Sequence, residues 1–417
     1  MFLIKSVSIN KIWGQNNANF EFNEDVNIII GKNGTGKTTF MNILTSILTV
    51  DIDSLCELDF ESINIHLKDK KLTRKISANI TYSDEAIAPN LTYTISNKKY
   101  QIPLVHSDDR KFGYLPRKRS ITASAEIREA LRKLVDLSSL SVYRLKNSED
   151  IEIRERGSKR ILSPVDYKLN QLCSQFTQYQ LEVANQARKI SNDLQKDVLT
   201  SLLISENSNT KIKWPNSFNK EKERRNLVTA YKRLGVLDAN VSKKIKNHVD
   251  EVDLAFSGLI TNVDTINFSA IDAYVNTNRI VELSLEADSK INKLFSQIEL
   301  FFQIINEFVP EKKFTIDNGF LEVFNEKKDS ISTSKLSSGE KQLLIILIEA
   351  LLQRQSKCIY ITDEPELSLH IEWQRNIIPA VKRINPQAQV IAATHSPEVA
   401  SKYKGSIYNI GNALSHG

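Results

Sequence analysis

The sequence contains little cysteine: Cys56, Cys173 and Cys358 are the three in a chain of 417 residues. They are far apart and follow no metal-binding spacing, which argues against a disulfide framework and a cysteine-bound zinc site. We therefore predict that the three thiols are reduced and mostly buried.

Long apolar runs are also lacking. No segment approaches the roughly 18 uninterrupted apolar residues that a membrane-spanning helix needs. The N-terminus, MFLIKSVSIN, has neither the basic start nor the small-residue cleavage site of a secretory signal. Together with the reduced cysteines, these absences predict a cytoplasmic protein with no membrane partner.

An excess of charge of one sign is nearly absent: 56 Lys and Arg stand against 50 Asp and Glu, a net charge of +6. Such a small excess does not establish nucleic-acid binding and leaves nucleic acid open as a partner. Basic residues cluster at positions 110–111, 117–119 and 220–225. A solvated face is the commoner explanation of clusters of this kind.

What is present is a division into three regions, without an internal repeat or a low-complexity tract. Short alternating apolar runs between turns predict mainly strands in residues 1–145. Apolar residues spaced by threes and fours predict long helices in residues 146–310. Helices alternate with buried strands in residues 311–417, which is typical of a parallel sheet covered by helices. The pattern predicts an α/β domain that is interrupted by a helical insertion and then completed.

The predicted elements that matter for a site are a few strands and the helices beside them. The strands are predicted at residues 2–9, 26–30, 139–145, 358–362 and 390–393, and the helices at residues 125–137, at 339–353 and from about 369.

A phosphate-binding loop follows the second of these strands. Residues 31–38, GKNGTGKT, fit the pattern G-x-x-x-x-G-K-[ST] between a buried strand and an apolar-periodic helix. Glycines let backbone N–H groups turn inward around phosphate oxygens at a helix N-terminus. Lys37 can reach the β- and γ-phosphates of ATP, and the Thr38 hydroxyl can bind Mg²⁺. The predicted nucleotide-binding residues are Asn33, Gly34, Thr35, Gly36, Lys37, Thr38 and Thr39.

Two carboxylates end the buried strand at 358–362. Asp363 is predicted to hold Mg²⁺, and Glu364 to polarise the water that attacks the γ-phosphate. Downstream, His395 follows the next buried strand. A lone histidine there is more often structural, but this one stands where a contact to the γ-phosphate is needed.

A third segment precedes the Asp-Glu strand by one helix. Ser337, Ser338, Gly339 and Glu340 open that helix and can present hydroxyl and backbone N–H groups to a phosphate. On its own this segment would be an ordinary helix cap, but its place in the order of motifs favours a second anion site.

The ordered set of P-loop, LSSGE, TDEP and THS resembles the ABC-type ATPase heads of the SMC, RecF and OLD families. The run DEPELSLH at residues 363–370, with Trp373 and Gln374 after it, is similar to the OLD-like ATPases of bacterial anti-phage systems. The resemblance covers residues 1–50 and 330–400 closely and the middle region hardly at all. It implies an ABC-type head with an N-terminal antiparallel β subdomain and a helical insertion.

By that resemblance, Glu364, His395 and Lys37 are catalytic, and Thr38 and Asp363 bind Mg²⁺. Residues 337–340 cap ATP that is held by the opposite protomer, so that ATP joins two heads in a homodimer or higher homo-oligomer. The sequence departs from the family pattern in two places. The strand near Tyr143 and Arg144 offers no glutamine for the Q-loop, and His370 stands near the place of the usual D-loop aspartate.

The resemblance does not extend to a nuclease. OLD nucleases continue beyond the switch histidine into a metal-dependent domain, whereas Glu398 is the sole carboxylate after His395 here, and two-metal cleavage needs several. We therefore expect an ATPase subunit that controls a separately encoded effector, a nuclease, as the resemblance to Septu-like and PARIS-like defence systems implies. The alternatives are a DNA-repair or chromosome-structure ATPase that binds DNA and, less favoured by the signature, a transporter ATPase.

The helical insertion carries large apolar side chains, among them Phe176, Tyr179, Phe301, Phe302 and Phe308. Exposed apolar patches usually mark an interface. We hypothesise that this lobe docks the effector, the alternative being that these side chains pack on one another.

Overall fold

A computed structural model describes residues 1–82, 88–106, 114–140, 151–155, 158–201, 218–261, 268–317 and 319–416. The chain forms two compact units, the first made of Met1–Thr177 and Leu300–Gly417 and the second of Gln178–Glu299. These units divide the chain at positions other than the predicted domains 1–145, 146–310 and 311–417, which remain a prediction.

An antiparallel sheet opens the first unit. Its strands alternate buried and exposed residues, as expected for a sheet with one face on a core; Val7, Ile9, Ile63 and Ile65 are fully buried. Numbered in chain order, and among the described residues, its strands are β1 (Leu3–Ile12), β2 (Asn16–Glu21), β4 (Ser62–Asp69), β5 (Leu72–Thr81), β6 (Asn90–Ile95), β7 (Lys98–Pro103) and β16 (Leu414–His416), in the order β16-β2-β1-β4-β5-β6-β7.

A parallel sheet forms the second layer and carries the motifs. In the described residues its strands are β3 (Val26–Ile30), β8 (Leu137–Leu140), β13 (Ile359–Asp363), β14 (Gln389–Ala393) and β15 (Ile407–Asn409), in the order β15-β3-β14-β13-β8. Every residue of β13 and β14 is buried, because helices cover strands of this kind on both faces. This arrangement confirms the predicted α/β fold of an ABC-type head with an antiparallel subdomain.

The amide of Gln389 joins the two sheets. Its Oε1 accepts a hydrogen bond from the N–H of Ile4 at 2.8 Å, and its Nε2 donates to the carbonyls of Ile4 and Asn23, both at 2.7 Å. Gln389 is fully buried, and a buried amide is tolerated only when its polar atoms are paired. The side chain therefore fixes the start of β14 against β1.

The helices of the first unit begin where the sequence supplies caps or strand ends. In the part of the chain that the structure describes they are α1 (Lys37–Thr49), α2 (Ile52–Glu57), α3 (Tyr114–Arg132), α8 (Ser338–Leu352), α9 (Ile371–Ile384), α10 (Pro397–Ala400), α11 (Ile410–Ala413) and two 3₁₀ turns at Thr333–Lys335 and Lys404–Ser406. The guanidinium of Arg128 donates to the carbonyls of Thr49 and Val50, which satisfies the otherwise unpaired C-terminal end of α1.

Several predicted bounds are wrong. The helix predicted at 125–137 is α3, which begins at Tyr114 and ends at Arg132, and Leu137 belongs to β8. The strand predicted at 139–145 is β8, at Leu137–Leu140, and residues 141–145 lie outside the described residues.

The region predicted to be a helical insertion begins with strands. A two-stranded antiparallel sheet of β9 (Ile151–Glu155) and β10 (Ser158–Leu162) precedes α4 (Pro164–Ser201). Isoleucine alternates with charged residues in β9, which favours a strand there. The strands were not predicted because the apolar spacing by threes and fours that follows them favours helix for the whole region.

Long helices follow, as predicted. They are α4, α5 (Lys220–Arg233), α6 (Ala239–Thr261) and α7 (Phe268–Phe308), and β11 (Lys312–Asp317) pairs with β12 (Phe320–Asn325) after them. In the second unit, Leu227, Ala230, Ile245, Val249 and Val281 form a small buried core. Among the described residues, no helix is long and apolar enough to cross a membrane.

The hypothesis that the large aromatic residues dock a partner is wrong for three of the five. Phe176 and Phe301 are fully buried, with ring centroids 5.4 Å apart, and Tyr179 is also buried. Phe308 contacts the ring of Trp373 at 6.3 Å. These four side chains therefore pack against other residues of the same chain.

The burial of the cysteines differs from the prediction most clearly at Cys56. None of the three cysteines forms a disulfide, and Cys358 is buried, but Cys56 is exposed and Cys173 is partly buried. Burial raises the pKa of the Cys358 thiol to about 12, so it is protonated at neutral pH.

Candidate nucleotide site

The phosphate-binding loop connects β3 to α1. Val26–Ile30 runs into the glycine-rich segment, and α1 begins at Lys37 with Gly36 as its N-cap residue. The loop therefore ends at a helix N-terminus. The backbone N–H groups of a first helical turn have no partner within the helix, and they favour an anion there.

Backbone geometry explains the glycines of this loop. Gly34 and Gly36 have φ of 79° and 91°, which side chains with a Cβ rarely adopt. A Cβ on Gly36 would lie 2.7 Å from the indole ring of Trp13. A Cβ on Gly31 would lie 2.6 Å from Ile410 and 2.7 Å from the Thr35 hydroxyl. The loop therefore has its shape before any ligand binds.

Lys37 is held against this loop. Its side chain is buried, and its Nζ donates hydrogen bonds to the carbonyls of Gly31 at 2.8 Å and Lys32 at 3.2 Å. Burial lowers the pKa of Lys37, while Asp363, Glu364 and Glu366 act against this shift. The ammonium group is thus surrounded by oxygen atoms at the point where the sequence predicts phosphate oxygens.

The carboxylates and the histidine lie at neighbouring strand ends. Strand β14 lies between β3 and β13 in the parallel sheet, so the loop, the acidic pair and the histidine all follow carboxyl ends at one edge. Asp363 is the last residue of β13 and is buried. Glu364 adopts a φ of 51° and donates its backbone N–H to the carbonyl of Ala393 at 2.7 Å.

The predicted base and the predicted switch histidine face one another. The Nε2 of His395 lies 3.9 Å from the Oε1 of Glu364. Both side chains line the same pocket, which has a volume of about 740 Å³. The pocket is lined by Trp13, Asn33, Gly34, Thr35, Gly36, Lys37, Thr38, Thr39, Glu364, Glu366, Leu367 and His395.

The structure thus brings most of the predicted residues together. All seven predicted nucleotide-binding residues line the pocket, as do Glu364 and His395. Asp363 precedes Glu364 directly. Residues 337–340 are not among the lining residues.

The signature segment caps its own helix. Ser337 is the N-cap of α8: its Oγ accepts from the N–H of Glu340 at 3.3 Å, and the Glu340 carboxylate accepts from the N–H of Ser337 at 2.9 Å. Lys312 pairs with the same carboxylate at 2.5 Å. Ser337 and Ser338 are exposed, so their outward groups are available to a ligand that this pocket does not hold.

Gly339 is a place of close approach. A Cβ there would lie 2.5 Å from the carbonyl oxygen of Ser368. Ser368 has a φ of 65° and belongs to the turn that follows Glu364. The start of α8 is therefore packed directly on the turn that also carries Glu366 and Leu367 of the pocket.

Three residues of the pocket, Trp13, Glu366 and Leu367, were missed by the sequence prediction. Trp13 has a φ of 53° in the turn between β1 and β2, and its side chain is 43% exposed. Glu366 accepts three hydrogen bonds from residues 394–396. An aromatic residue before a glycine at Trp13–Gly14 is a usable signal for a turn, but no spacing rule connects it to the P-loop.

The sequence prediction about the Q-loop falls on residues that the structure does not describe. Tyr143 and Arg144 lie outside the described residues. His370, near the expected D-loop aspartate, is the N-cap residue of α9 and makes no side-chain cap hydrogen bond.

The residues present fit the magnesium ion that the fold family implies. Thr38 lines the pocket, and Asp363 is a buried carboxylate at the end of β13, on the far side of β14 from the loop. Oxygen ligands of this kind suit Mg²⁺. Among the described residues, no group of three or more His, Cys, Asp or Glu could hold a metal ion. One hydroxyl and one carboxylate match a metal whose other ligands are phosphate oxygens and water.

Solved structures with a similar fold include Smc head domains. One, from Pyrococcus furiosus, has an extended coiled coil and is bound to the C-terminal domain of ScpA; it is 12% identical, covers 96% of this chain and 92% of its own, and has a TM-score of 0.46. Another, from Pyrococcus yayanosii, has a coiled coil and joint, is 14% identical and covers 96% of this chain and 93% of its own, also with a TM-score of 0.46.

Curated relatives match over short segments. The Retron Ec83 probable ATPase of Escherichia coli is 34% identical over 88 residues, which are 18% of this chain and 16% of that protein. The Septu protein PtuA of Bacillus thuringiensis is 46% identical over 41 residues, 10% of each chain. The alignments therefore span less than a fifth of either relative.

The family model named AAA ATPase domain matches residues 4–400. That match includes the loop, the acidic strand end and the histidine that form the pocket. Since it spans nearly the whole chain, the protein belongs to the AAA ATPase domain family.

Proposed function

We propose that this protein binds ATP with Mg²⁺ in the pocket at the strand ends and hydrolyses it to ADP and phosphate. The observation that supports this most is the convergence of three separate motifs, around Lys37, Glu364 and His395, on one pocket of about 740 Å³. A P-loop alone would support binding, whereas an acidic residue and a histidine facing each other beside it support phosphoryl transfer to water.

The roles follow from the geometry. The backbone N–H groups of residues 33–38 and the Nζ of Lys37 bind the phosphates. Thr38 and Asp363 hold Mg²⁺, which neutralises charge on the phosphate oxygens when it is bound. Glu364 accepts a proton from the attacking water, and His395, which lies 3.9 Å away, contacts the transferred phosphate.

Trp13 supplies the platform for the base. Its indole packs over Gly36 at the entrance to the loop and is 43% exposed. An aromatic face stacks on a nucleobase without reading its edge. We infer that the adenine of ATP stacks on Trp13.

A complete catalytic site requires a second head. Ser337 and Ser338 are exposed at the N-terminus of α8 and stand outside the pocket of their own chain. A helix N-terminus with exposed hydroxyls is a site for an anion. We infer that this segment binds the γ-phosphate of ATP held by a partner head, so that the protein acts as an ATP-joined homodimer or higher homo-oligomer.

The biological role that we propose is control of a separately encoded effector, a nuclease, in anti-phage defence. The short similarities to the Retron Ec83 probable ATPase and to Septu PtuA support this class. In this role, ATP hydrolysis by the chain and the nuclease encoded by a second gene are both required for defence. In a phage challenge we expect protection only when the chain and its neighbouring gene are both expressed, and protection by the chain alone would contradict a separate effector.

Glu364→Gln tests the ATPase proposal itself. The amide cannot accept the proton of the attacking water, and we expect turnover to fall at least about 10²-fold while ATP affinity is retained. Initial-rate phosphate release and equilibrium ATP binding measure the two effects. Glu372→Gln, an exposed position on α9, is the matched control. Hydrolysis by Glu364→Gln at the parental rate would refute the role of Glu364.

A further inference from the structure

The carboxylate of Glu366 is engaged by the segment that carries His395. One oxygen, Oε1, accepts hydrogen bonds from the Thr394 hydroxyl at 2.5 Å, from the His395 N–H at 2.9 Å and from the Ser396 N–H at 3.1 Å. Three donors on one oxygen are more than a helix cap or a surface contact requires. Hydrogen bonds to an ionised acceptor are also the stronger kind.

The three donors belong to consecutive residues at the end of β14. Thr394 is fully buried, and its hydroxyl also accepts from the Ser396 N–H at 2.9 Å. A second link runs from the Ser396 hydroxyl to the Oε1 of Gln374 at 2.7 Å, and the Nε2 of Gln374 donates to the Leu369 carbonyl at 3.0 Å. The turn after β13 and the segment after β14 are thus joined at two points.

One carboxylate oxygen of Glu366 is committed to the segment that carries His395, although the side chain also lines the pocket. Its Oε1 is occupied by the three donors from residues 394–396, whereas Glu364 presents its carboxylate to His395 inside the pocket. Glu366 is therefore placed to act on His395 through its backbone.

We propose that Glu366 is a positioning residue for ATP hydrolysis, which fixes the backbone of residues 394–396 so that His395 meets the transferred phosphate. This inference rests on the proposed ATPase function. Its physical basis is that misplacement of a reacting group by about 1 Å can reduce the rate about 10²-fold. Without the carboxylate, the Thr394 hydroxyl and the His395 N–H lose this acceptor, and the Ser396 N–H keeps only the Thr394 hydroxyl. We therefore expect the segment to rearrange.

Paired substitutions of the full-length chain distinguish positioning from chemistry. Glu366→Ala removes the acceptor, and we expect kcat to fall about 10²-fold. ATP affinity should be retained or tightened, because a negative charge near the phosphates is removed. Glu366→Gln keeps one oxygen that can accept from the same three donors, so we expect it to retain most of the parental kcat. The thermal unfolding midpoint, measured on each variant, shows whether either one is merely unfolded.

A double-variant cycle completes the test. If Glu366 acts through His395, then Glu366→Ala with His395→Ala should be no slower than His395→Ala alone, since residues that act as one unit are not additive. Glu372→Gln, exposed on α9, is the matched control and should keep the parental kcat.

The outcomes separate this inference from the function on which it rests. Glu366→Gln as inactive as Glu364→Gln would make Glu366 a catalytic carboxylate and overturn the positioning role. Parental kcat in Glu366→Ala, or additive loss in the cycle, would also overturn it. If the parent shows no ATPase activity, or Glu364→Gln is unimpaired, the proposed function fails instead.

Discussion

The nucleotide pocket and the signature helix α8 are held together by different means. The pocket depends on backbone geometry: left-handed glycines at positions 34 and 36 and a lysine bound to loop carbonyls. Helix α8 is held by ion pairs along its length, from Lys312 to Glu340, from Asp166 to Lys341 and from Lys168 to Glu349. Its first residues nonetheless face outward.

This difference bears on what each part can do alone. The pocket holds all seven residues of the predicted nucleotide-binding loop within one chain. The signature residues are firmly anchored but have nothing to bind within their own pocket. A firmly held surface without a ligand in its own chain is the arrangement that a composite site needs.

The largest expected effect tests that composite site. Ser338 is exposed at the first position of α8, so Ser338→Glu fits its own head, and an acid is tolerated at a helix N-terminus. The added charge would repel the γ-phosphate of a partner's ATP. We expect at least about 10²-fold lower ATPase activity with unchanged ATP binding, measured by phosphate release and by equilibrium binding.

Mixing sharpens the same test. Ser338→Glu mixed with Lys37→Ala leaves one intact site in each heterodimer, and random pairing should restore about a quarter of the parental activity. Ser334→Glu, also exposed and four residues upstream, is the control. An absence of rescue, with heterodimers shown by native mass spectrometry, would mean that the site is not shared. Gly339 is a poor choice for this experiment because a Cβ there would strike the Ser368 carbonyl.

The next effect concerns the anchoring of α8. Lys168 pairs with Glu349 at 2.8 Å, and the Glu349 side chain is 8% exposed. Lys168→Met leaves a buried carboxylate without its cation, which typically costs about 3–5 kcal/mol. Urea denaturation of this variant should show that loss, whereas Lys133→Met, which removes an exposed pair with Glu129, should change the unfolding midpoint little.

The pH dependence of the Lys168→Met loss has a definite sign. Burial raises the pKa of Glu349 above its usual value, so the folded state holds the proton more tightly than the unfolded state. The stabilising contribution of this group is present at low pH and declines as pH rises through the raised pKa. Lys168 lowers this pKa, so its removal raises the pKa of Glu349 further. The variant should therefore lose more stability relative to the parent at pH 7 than at pH 5, and an equal loss at both would contradict an ionised Glu349 in the parent.

The sequence predicted the motifs well because their chemistry is local. The strand at 26–30, the loop and the helix after it follow from one continuous stretch of sequence, and parallel strand order then brings Glu364 and His395 to the same edge. Glu366 and Trp13 could not be predicted in this way. Their importance depends on contacts between Glu366 and residues 394–396 and between Trp13 and Gly36, which no spacing in the sequence specifies.

The middle of the chain was predicted least well, for a different reason. The apolar periodicity of long helices dominates the pattern of this region. The strands β9 and β10 have only five residues each, too few to change that pattern. For Phe176 and Phe301 the sequence leaves two possibilities open, docking of a partner or packing on one another, because an amphipathic stripe does not reveal what covers it. The structure places both inside the first unit, where they contact each other.

A smaller effect is expected at the entrance of the pocket. Trp13→Ala removes the proposed base platform, and loss of one stacking contact of about 1–3 kcal/mol should raise the KM for ATP about tenfold or more with little change in kcat. Trp13→Phe should recover most of the affinity. Equal loss of affinity for ATP and for inorganic triphosphate would show that Trp13 shapes the P-loop through Gly36 and does not bind the base.

The smallest expected effect separates the two roles of Ser337. As an N-cap it accepts the Glu340 N–H at 3.3 Å, and replacing such a cap by alanine typically costs about 1 kcal/mol. Ser337→Asp keeps the cap, since aspartate is an equally good N-cap residue, but adds a negative charge. If Ser337 also faces a partner's phosphate, Ser337→Ala should lower the unfolding free energy slightly and Ser337→Asp should not. ATPase activity should fall more in Ser337→Asp than in Ser337→Ala. Activity that instead follows stability in both variants would leave Ser337 as a cap alone and assign the shared contact to Ser338 and the backbone of α8.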